Sequence, residues 1–278
     1  MRLGGPVFEK NLNPERWAAA LKKAGYSAAY CPVDEKAPQE MVWEYAKAAE
    51  AANIVIAEVG AWSNPLSPDA AAAQKALAHN QERLALADRI GARCCVNITG
   101  SRGKDWAGPD EKNFTQETFD LIVETVRKIV DAVKPAKTFY TLETMQVMYP
   151  DSADNYLKLI KAIDRKQCAA HFDPTNLVTS TQIYFATGAM IKDAMAKLGP
   201  YIRSCHAKDV KLSPRPHIHM DEIRPGLGNL DYKVFLQELS KLDPDTPLML
   251  EHLPNEQEYE TAAKHIRGVA EAAGVAFR

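Results

Sequence analysis

Four apolar, strand-like runs of this 278-residue sequence end in a side chain that can bind a cation. In chain order these side chains are Glu143, Asp173, His206 and Glu251, separated by 30, 33 and 45 residues. Three carboxylates brought together without a cation would repel one another and raise each other's pKa. Three carboxylates and one imidazole suit a divalent metal ion. The pattern therefore predicts a metal site, provided that the four strand ends meet in the fold.

Strand-like and helical patterns alternate along the whole chain. The predicted strands lie near Arg2–Gly4, Ala28–Cys31, Ile54–Val59, Cys94–Ile98, Thr138–Glu143, Ala169–Asp173, Ile202–Ala207 and Leu248–Glu251. The helical patterns between them have candidate N-caps at Asn13, Asp69, Thr115, Asp151, Asp231 and Asn255. Eight strands alternating with eight helices predict a single (β/α)8 TIM barrel over residues 1–278. A doubly wound open sheet is less favoured, because no G-x-G-x-x-G motif follows the first strand and the GLG at 226–228 lies in another context.

In such a barrel the carboxyl ends of the strands converge on one rim, where barrel active sites are built. The four candidate ligands would end the fifth, sixth, seventh and eighth strands and could surround one ion. Mn²⁺ is the most natural choice for this donor set, and Zn²⁺, Co²⁺, Fe²⁺ or Mg²⁺ could also bind. Two long loops, at residues 60–68 and 210–229, would emerge at the same rim.

Further polar and aromatic side chains lie near the predicted rim. Period-two alternation places His171 on the face of Asp173 and Lys208 on the face of His206, and it turns His252 away from the axis. Lys208 could place its cation beside a developing oxyanion, or it could form a salt bridge to a neighbouring acid. The candidates for contact with a substrate are Glu58, Trp62, Asn97, His171, Asn176 and Arg224.

Composition excludes several classes of protein. A net charge of −2 gives no electrostatic reason to expect nucleic acid or an anionic membrane as a partner. No run of the sequence is long and apolar enough to span a membrane. The opening MRLGGPVFEK lacks the apolar stretch of a signal peptide, which predicts a cytoplasmic protein. Five cysteines without a C-x-x-C spacing predict buried free thiols rather than a disulfide framework or a structural zinc site.

The short phrases LET, HFDPTN, CHAKD and LEH contain the four candidate ligands, at residues 142–144, 171–176, 205–209 and 250–252. Together they resemble the xylose isomerase-like, sugar phosphate isomerase/epimerase superfamily over nearly the whole chain. The resemblance implies a (β/α)8 barrel whose Glu/Asp/His/Glu metal site is formed by those four residues. The superfamily includes ketose 3-epimerases, hydroxypyruvate isomerases, inosose dehydratases, C-glycoside-cleaving subunits and endonuclease IV, so the resemblance does not fix the substrate.

The sequence departs from the sugar epimerases at two positions. Many of them, and endonuclease IV, carry a histidine three residues after the sixth-strand aspartate, where this chain has Asn176. The epimerases also tend to place an arginine about six residues after the seventh-strand histidine, where this chain has Leu212. These departures disfavour a simple tagatose-type 3-epimerase. The phrases DPTNL, HAKD and PGLGNLDY look closer to members associated with the breakdown of glycosides or 3-keto-sugars.

The expected activity is that of a divalent-metal-dependent sugar isomerase or epimerase. Glu143 and Glu251 would move protons on opposite faces of a substrate through a metal-stabilised enediolate. One alternative is a lyase or dehydratase acting on 3-keto-glycosides or inososes, including C-glycoside cleavage, because elimination begins with the same proton abstraction. A second alternative is a non-catalytic metal- or sugar-binding subunit. The resemblance implies a small-molecule sugar as partner and allows a homo-oligomer or a subunit of a hetero-oligomer. Net charge and Asn176 disfavour a DNA-repair endonuclease.

Overall fold

The computed structural model describes residues 1–278 and contains a closed barrel of eight parallel strands. The barrel strands are β1 (Arg2–Gly5), β2 (Ala28–Tyr30), β3 (Val55–Gly60), β4 (Cys94–Asn97), β5 (Tyr140–Glu143), β6 (Cys168–Phe172), β7 (Ile202–Ala207) and β10 (Pro247–Leu250). Their order around the barrel is β1-β10-β7-β6-β5-β4-β3-β2. The predicted (β/α)8 architecture is therefore confirmed, and the open-sheet alternative is wrong because β1 pairs with β10 and closes the sheet.

Helices connect the strands and cover the outside of the barrel. They are α1 (Pro14–Lys23), α2 (Gln39–Ala51), α3 (Ala70–Ile90), α4 (Gln116–Val133), α5 (Ala153–Ile163), α6 (Thr181–Tyr184), α7 (Thr187–Leu198), α8 (Tyr232–Leu239) and α9 (Glu256–Ala272). Side-chain N-cap hydrogen bonds confirm the predicted caps at Asn13, Asp69, Thr115, Asp231 and Asn255. The predicted cap Asp151 is wrong, because Ser152 caps α5 and Asp151 instead accepts a hydrogen bond from Asn155 Nδ2. None of the helices combines the length and the apolar character needed to cross a membrane.

The segment after β7 is more regular than the long loop that the sequence predicts. It forms an antiparallel hairpin of β8 (Asp209–Leu212) and β9 (Met220–Ile223), which lies outside the barrel sheet. Asp209 pairs with Ile223, and Leu212 pairs with Met220. Hydrophobic periodicity does not predict β9, because its two central residues are polar and exposed. The hairpin starts one residue after Lys208, so the end of β7 leads straight into it.

Two apolar layers hold the barrel together and define where the polar site begins. One core cluster of 54 buried residues fills the space between the barrel and its helices. Inside the barrel, Ala28, Ala57 and Met249 form a small apolar floor. Gly4 allows Met249 to approach, since a Cβ at that glycine would lie 2.5 Å from the Met249 sulfur. The five cysteines are free and four of them are buried; Cys31 is the half-buried one.

Candidate metal centre and cavity

The four predicted ligands meet at the carboxyl ends of the barrel strands. Glu143 is the last residue of β5, His206 lies near the end of β7, and Asp173 and Glu251 directly follow β6 and β10. One ligand atom from each lies within 4.8 Å of those of the other three. The side chains of His206 and Asp173 are fully buried, and those of Glu143 and Glu251 are 6% and 12% exposed. The strand ends thus bring together three carboxylates and one imidazole at the bottom of the rim.

The donor atoms of this group fit a divalent cation. Asp173 Oδ1 accepts a hydrogen bond of 2.9 Å from the backbone N–H of Thr175, which fixes the carboxylate. The other oxygen, Asp173 Oδ2, and Glu251 Oε1 are buried and receive no well-directed hydrogen bond. Both oxygens form ion pairs with Lys208, and Glu251 Oε1 also faces His206, so a divalent ion would add a direct ligand contact to oxygens that are already held in place. Hard oxygen donors together with one imidazole are the ligands that Mn²⁺, Mg²⁺ and Zn²⁺ accept in proteins.

Lys208 places its ammonium group among the same carboxylates. Its Nζ atom lies 2.8 Å from Asp173 Oδ2, 3.3 Å from Glu143 Oε1 and in contact with Glu251 Oε1. Burial would lower the pKa of Lys208, but these carboxylates outweigh it and raise that pKa. The positive charge of Lys208 thus lowers the mutual repulsion of the acids.

The two carboxylates that face His206 have pKa values shifted by competing effects. Burial would raise the pKa of Glu143 and of Glu251, but the charges of His206 and Lys208 outweigh it and lower both values. Burial raises the pKa of Asp173 to about 7, against the opposing charge of Lys208. At neutral pH Glu143 and Glu251 are thus charged, which is the form that binds a cation or accepts a proton.

A second layer of polar side chains lies deeper in the barrel. Glu58 Oε1 lies 3.1 Å from His206 Nε2, and Glu58 Oε2 lies 2.9 Å from His171 Nε2. Ser204 Oγ donates a third hydrogen bond of 2.9 Å to Glu58 Oε2. Burial would raise the pKa of Glu58, but the neighbouring His206 and His171 lower it. Glu58 and His171, which the sequence suggests as substrate contacts, are 2% and 0% exposed, respectively, and therefore contact His206 rather than the open rim.

A tyrosine from the helical layer supports the strand pair that carries Glu143 and Asp173. The Tyr156 hydroxyl donates to the carbonyl of Leu142 and accepts from the backbone N–H groups of Leu142 and His171, each at 3.1 Å. Thr144 Oγ1 adds a hydrogen bond of 2.9 Å to the carbonyl of Asp173. These two side chains fix the relative position of β5 and β6 next to the ligands.

The candidate metal centre forms part of the wall of an open cavity of about 520 Å³. The lining residues are Trp62, Ile98, Trp106, Ala107, Glu143, Met145, Gln146, Asn176, Lys208, Glu222, Glu251 and His252. The ring centroid of Trp62 lies 6.5 Å from that of His206, so the indole stands over the candidate ligand. Gly60 makes room for it, because a Cβ there would lie 2.4 Å from Trp62 Nε1. The lining of the cavity therefore combines acids and amides with two tryptophans.

The remaining sequence candidates separate into residues inside and outside this cavity. Asn176 lines it and donates a hydrogen bond of 3.3 Å to Glu143 Oε1. Arg224 does not line it, since its guanidinium pairs with Glu258 at 2.7 Å. Asn97 lies outside it and is fully buried.

Asn97 instead joins a buried network that holds the loop of Trp62. Its side chain accepts from the backbone N–H of Ser63 at 3.1 Å and donates to Asn80 Oδ1 at 3.0 Å. Asn80, on α3, also donates to Ser63 Oγ at 2.8 Å and accepts from the Tyr140 hydroxyl at 2.8 Å. The network thus joins a helix, two strands and the loop that follows β3.

Several residues that line the cavity are not among the sequence candidates, and they include Trp106, Gln146 and His252. The backbone of His252 has a φ of +56°, so strand alternation ends before it and cannot turn it away from the axis. Its Nδ1 atom lies 3.0 Å from Glu222 Oε1 on the β8–β9 hairpin. Trp106 and Gln146 lie in loops after β4 and β5, where no periodicity indicates the direction of a side chain.

Comparison with known proteins agrees with this geometry. A family model described as xylose isomerase-like TIM barrel matches residues 18–269. No curated protein sequence matches the chain. Among solved structures, D-psicose 3-epimerase from Clostridium cellulolyticum is similar with a TM-score of 0.71 at 14% identity, over 99% of this chain and 100% of that one.

Two further structures show how widely this fold is used. The 3-keto-D-glucoside 4-epimerase of E. coli is similar with a TM-score of 0.69 at 12% identity, over 96% of this chain and 99% of the other. Endonuclease IV from Thermus thermophilus is similar with a TM-score of 0.74 at 13% identity, over 98% and 100% of the two chains. At these identities the likeness concerns the fold alone.

Proposed function

The chain belongs to the xylose isomerase-like TIM barrel family, and from that premise we propose that it is a divalent-metal-dependent sugar isomerase or epimerase. The observation that carries the proposal is the convergence of Glu143, Asp173, His206 and Glu251 within 4.8 Å at the wall of an open cavity. A cavity with convergent polar groups and shifted pKa values is the usual form of an active site.

The four ligands would hold one divalent ion through Asp173 Oδ2, Glu251 Oε1, a Glu143 oxygen and His206 Nδ1. Mn²⁺ is the first ion to test. A divalent ion held there would polarise a substrate carbonyl and so acidify the neighbouring C–H. His206 Nδ1 faces this group, since it lies 3.0 Å from Glu143 Oε1 and 2.8 Å from Glu251 Oε1.

Glu143 and Glu251 would move the protons. Glu143 ends β5 and Glu251 follows β10, and β6 and β7 lie between these strands in the barrel. Both side chains line the cavity. Both have lowered pKa values and are charged at neutral pH, so either can act as the base. One carboxylate would take the proton, and the other, once protonated from solvent, would donate a different proton to the opposite face and so change the configuration. Return of the first proton to the neighbouring carbon would instead shift the carbonyl.

Lys208 would stabilise negative charge that develops on the substrate. Its ammonium group is only 3% exposed, lines the cavity and is held by Asp173 and Glu251. A preorganised cation in a water-poor site stabilises an oxyanion more than it would in bulk water. Asn176 and Gln146 are joined by a hydrogen bond of 3.1 Å and would donate or accept hydrogen bonds with sugar hydroxyls.

Elimination is the second candidate reaction, on a 3-keto-glycoside or an inosose. It would begin with the same proton abstraction and end with the loss of a β-substituent. The cavity supports it, because about 520 Å³ leaves space for a leaving group beside a sugar ring. Asn176 stands where many sugar epimerases carry histidine, which also separates this chain from those enzymes.

The test is solvent-deuterium exchange into a panel of uncharged ketoses and 3-keto-glucosides, with protein loaded with Mn²⁺. We expect deuterium at the carbon beside the carbonyl, and loss of exchange after chelation or in His206→Ala. Exchange together with release of the substituent would favour elimination. Binding of sugars without any exchange or release would contradict the enzymatic proposal and indicate a non-catalytic subunit.

A further inference from the structure

Lys208 is the only lysine or arginine that lines the cavity. Its ammonium group already contacts Glu143, Asp173 and Glu251, and it lies 3.7 Å from Glu222 Oε2. A divalent ion and Lys208 together would balance three of these four carboxylates. The side chain of His252, the remaining group that can be positive, is held by Glu222. The cavity therefore offers no surplus positive charge to an anionic substrate.

The glycine-rich loop at residues 226–228 is the next place where an anion could bind. Backbone N–H groups in glycine-rich turns form cradles for phosphate, and barrels often bind phosphate after their seventh and eighth strands. Here the carboxylate of Asp209 occupies the cradle. It accepts hydrogen bonds from the backbone N–H groups of Gly226 at 2.9 Å, Gly228 at 3.1 Å and Leu230 at 2.9 Å. Asp209 is 1% exposed, so the loop has its own internal anion.

The N-terminus of α9, after the eighth barrel strand, is closed in a similar way. The side chain of Asn255 accepts the backbone N–H of Glu258 at 3.1 Å, and Glu256 and Glu258 lie in the first turn. Two acids at a helix N-terminus already interact with its dipole and would repel a phosphate group. Neither of the usual phosphate positions of a barrel is thus free in this chain.

Part of the cavity lining is apolar. Trp62 and Trp106 are 42% and 48% exposed, and they line the cavity together with Ile98 and Met145. Pockets of roughly 300–1,000 Å³ bury drug-sized molecules, which are larger than a hexose of about 12 non-hydrogen atoms. The cavity of about 520 Å³ therefore has room for a sugar ring and an apolar group beside it.

From these observations we propose that the cavity takes an uncharged glycoside, with no phosphate or carboxylate, whose apolar substituent packs against Trp62 and Trp106. This inference rests on the proposed function, since it assigns a substrate class to the same site. The sugar ring would lie against the acids and amides. The substituent would cover the indole surface that is now open to solvent, which is favourable because aromatic contact area is buried.

The experiment measures deuterium exchange with matched substrates and the Mn²⁺-loaded protein. The first pair is D-fructose and D-fructose 6-phosphate, and the second is methyl and phenyl 3-keto-β-D-glucopyranoside together with the 6-phosphate of the phenyl compound. We expect kcat/KM to be at least about tenfold lower for each phosphorylated member, because its charge finds no surplus cation and meets the one carboxylate that is left uncompensated. We expect the phenyl compound to exceed the methyl compound.

Variants of the tryptophans test the position of the substituent. Trp106→Ala should raise KM for the phenyl glycoside more than for the methyl glycoside. Trp43→Ala is the matched control, since that indole is 57% exposed on α2 and does not line the cavity. Faster exchange with the phosphorylated members, or equal values for phenyl and methyl compounds, would overturn the inference while leaving the proposed function standing. Absence of exchange with every compound would overturn both.

Discussion

His206 Nε2 lies 3.1 Å from Oε1 of Glu58, and this contact leaves Nδ1 to face the candidate metal centre. A carboxylate only accepts hydrogen bonds, so without a metal ion both ring nitrogens donate, Nε2 to Glu58 and Nδ1 to Glu143 and Glu251. A metal ion bound at Nδ1 would replace the hydrogen there, while Nε2 would keep its own on Glu58. Carboxylates that hold the second nitrogen of a ligating histidine in this way orient the ring and tune its affinity for metal.

Glu58→Gln should therefore weaken metal binding without removing a ligand. Its amide N–H₂ would face one of the three groups that now donate to Glu58. His206 can accept that bond only when its one remaining hydrogen is on Nδ1, where it would block the metal ion. We expect the affinity for Mn²⁺, measured by titration calorimetry, to fall by about 10- to 100-fold. Ser204→Ala, which removes a different donor to Glu58, is the control and should bind Mn²⁺ nearly as tightly as the natural chain. Unchanged affinity in a folded Glu58→Gln protein would show that the contact does not orient His206.

Metal content distinguishes the candidate centre from another group of possible ligands. Purified protein should contain close to one divalent ion per chain, and His206→Ala and Asp173→Ala should lose most of it. Glu35, His79 and Glu82 form a separate, partly exposed group whose ligand atoms also lie within 4.8 Å of one another. His79→Ala should retain the ion. The four-ligand assignment is wrong if elemental analysis shows the opposite pattern.

Glu143→Gln and Glu251→Gln separate metal binding from proton transfer. Glutamine keeps an oxygen that can contact the ion but cannot act as a base. Each variant should lower deuterium exchange at saturating Mn²⁺ by at least about a hundredfold, which is within the usual contribution of a general base. Glu40→Gln, at an exposed position of α2, should exchange at the natural rate. Near-natural exchange in either site variant would limit that residue to metal binding and leave Lys208 and His171 as candidates for the base.

Tyr156→Phe should destabilise the barrel below the metal centre. The loss of one hydroxyl leaves the backbone N–H groups of Leu142 and His171 without the acceptor that they now share. An unsatisfied buried donor costs about 1–3 kcal/mol, so we expect the free energy of unfolding in urea to fall by that amount. Tyr149→Phe removes a hydroxyl that donates to the carbonyl of Phe114 in a more exposed position, and it should cost less. Equal losses would mean that the buried position of Tyr156 is not important.

Thiol labelling tests the state of the cysteines. Burial raises the pKa of all five thiols, and the thiolate is the reactive form. In native protein at pH 8 a disulfide reagent should therefore react slowly with half-buried Cys31 and not with the other four, whereas all five should react after unfolding. Because the raised pKa lowers the thiolate fraction, the rate at Cys31 should still be rising above pH 9. Rapid labelling of Cys94 or Cys95 in the native state would contradict the packing described here.

The barrel and the grouping of the four ligands could be predicted because both follow from periodicity. Each of these ligands lies within one residue of the end of its strand, and parallel strand ends share a rim. The role of Glu58 could not be predicted in the same way, because β3 continues to Gly60 and leaves Glu58 two residues below the rim. A shift of two residues keeps a side chain on the inner face but moves it into a deeper layer, where it contacts His206 instead of the cavity.

The directions of loop side chains and the contacts between distant segments could not be predicted from the sequence. His252 changes direction because its backbone has a positive φ, and the hairpin pairing of Asp209 with Ile223 depends on contacts between distant parts of the chain. Asn97 illustrates a different difficulty. It ends β4, one residue before the predicted end at Ile98, and its side chain bonds to Asn80 from α3. No local pattern specifies which helix residue faces it.

The bond between Asn80 and Ser63 has a consequence for attempts to change the substrate range by mutation. Ser63 follows Trp62 directly, so Asn80, which does not line the cavity, holds the loop that carries one of the two tryptophans of the cavity. Mutant libraries restricted to the residues that line the cavity would change side chains there but leave the loop of Trp62 in its present position. Including positions 80 and 97 would let selection shift the loop itself, and we expect broadened acceptance of bulkier compounds to arise there first.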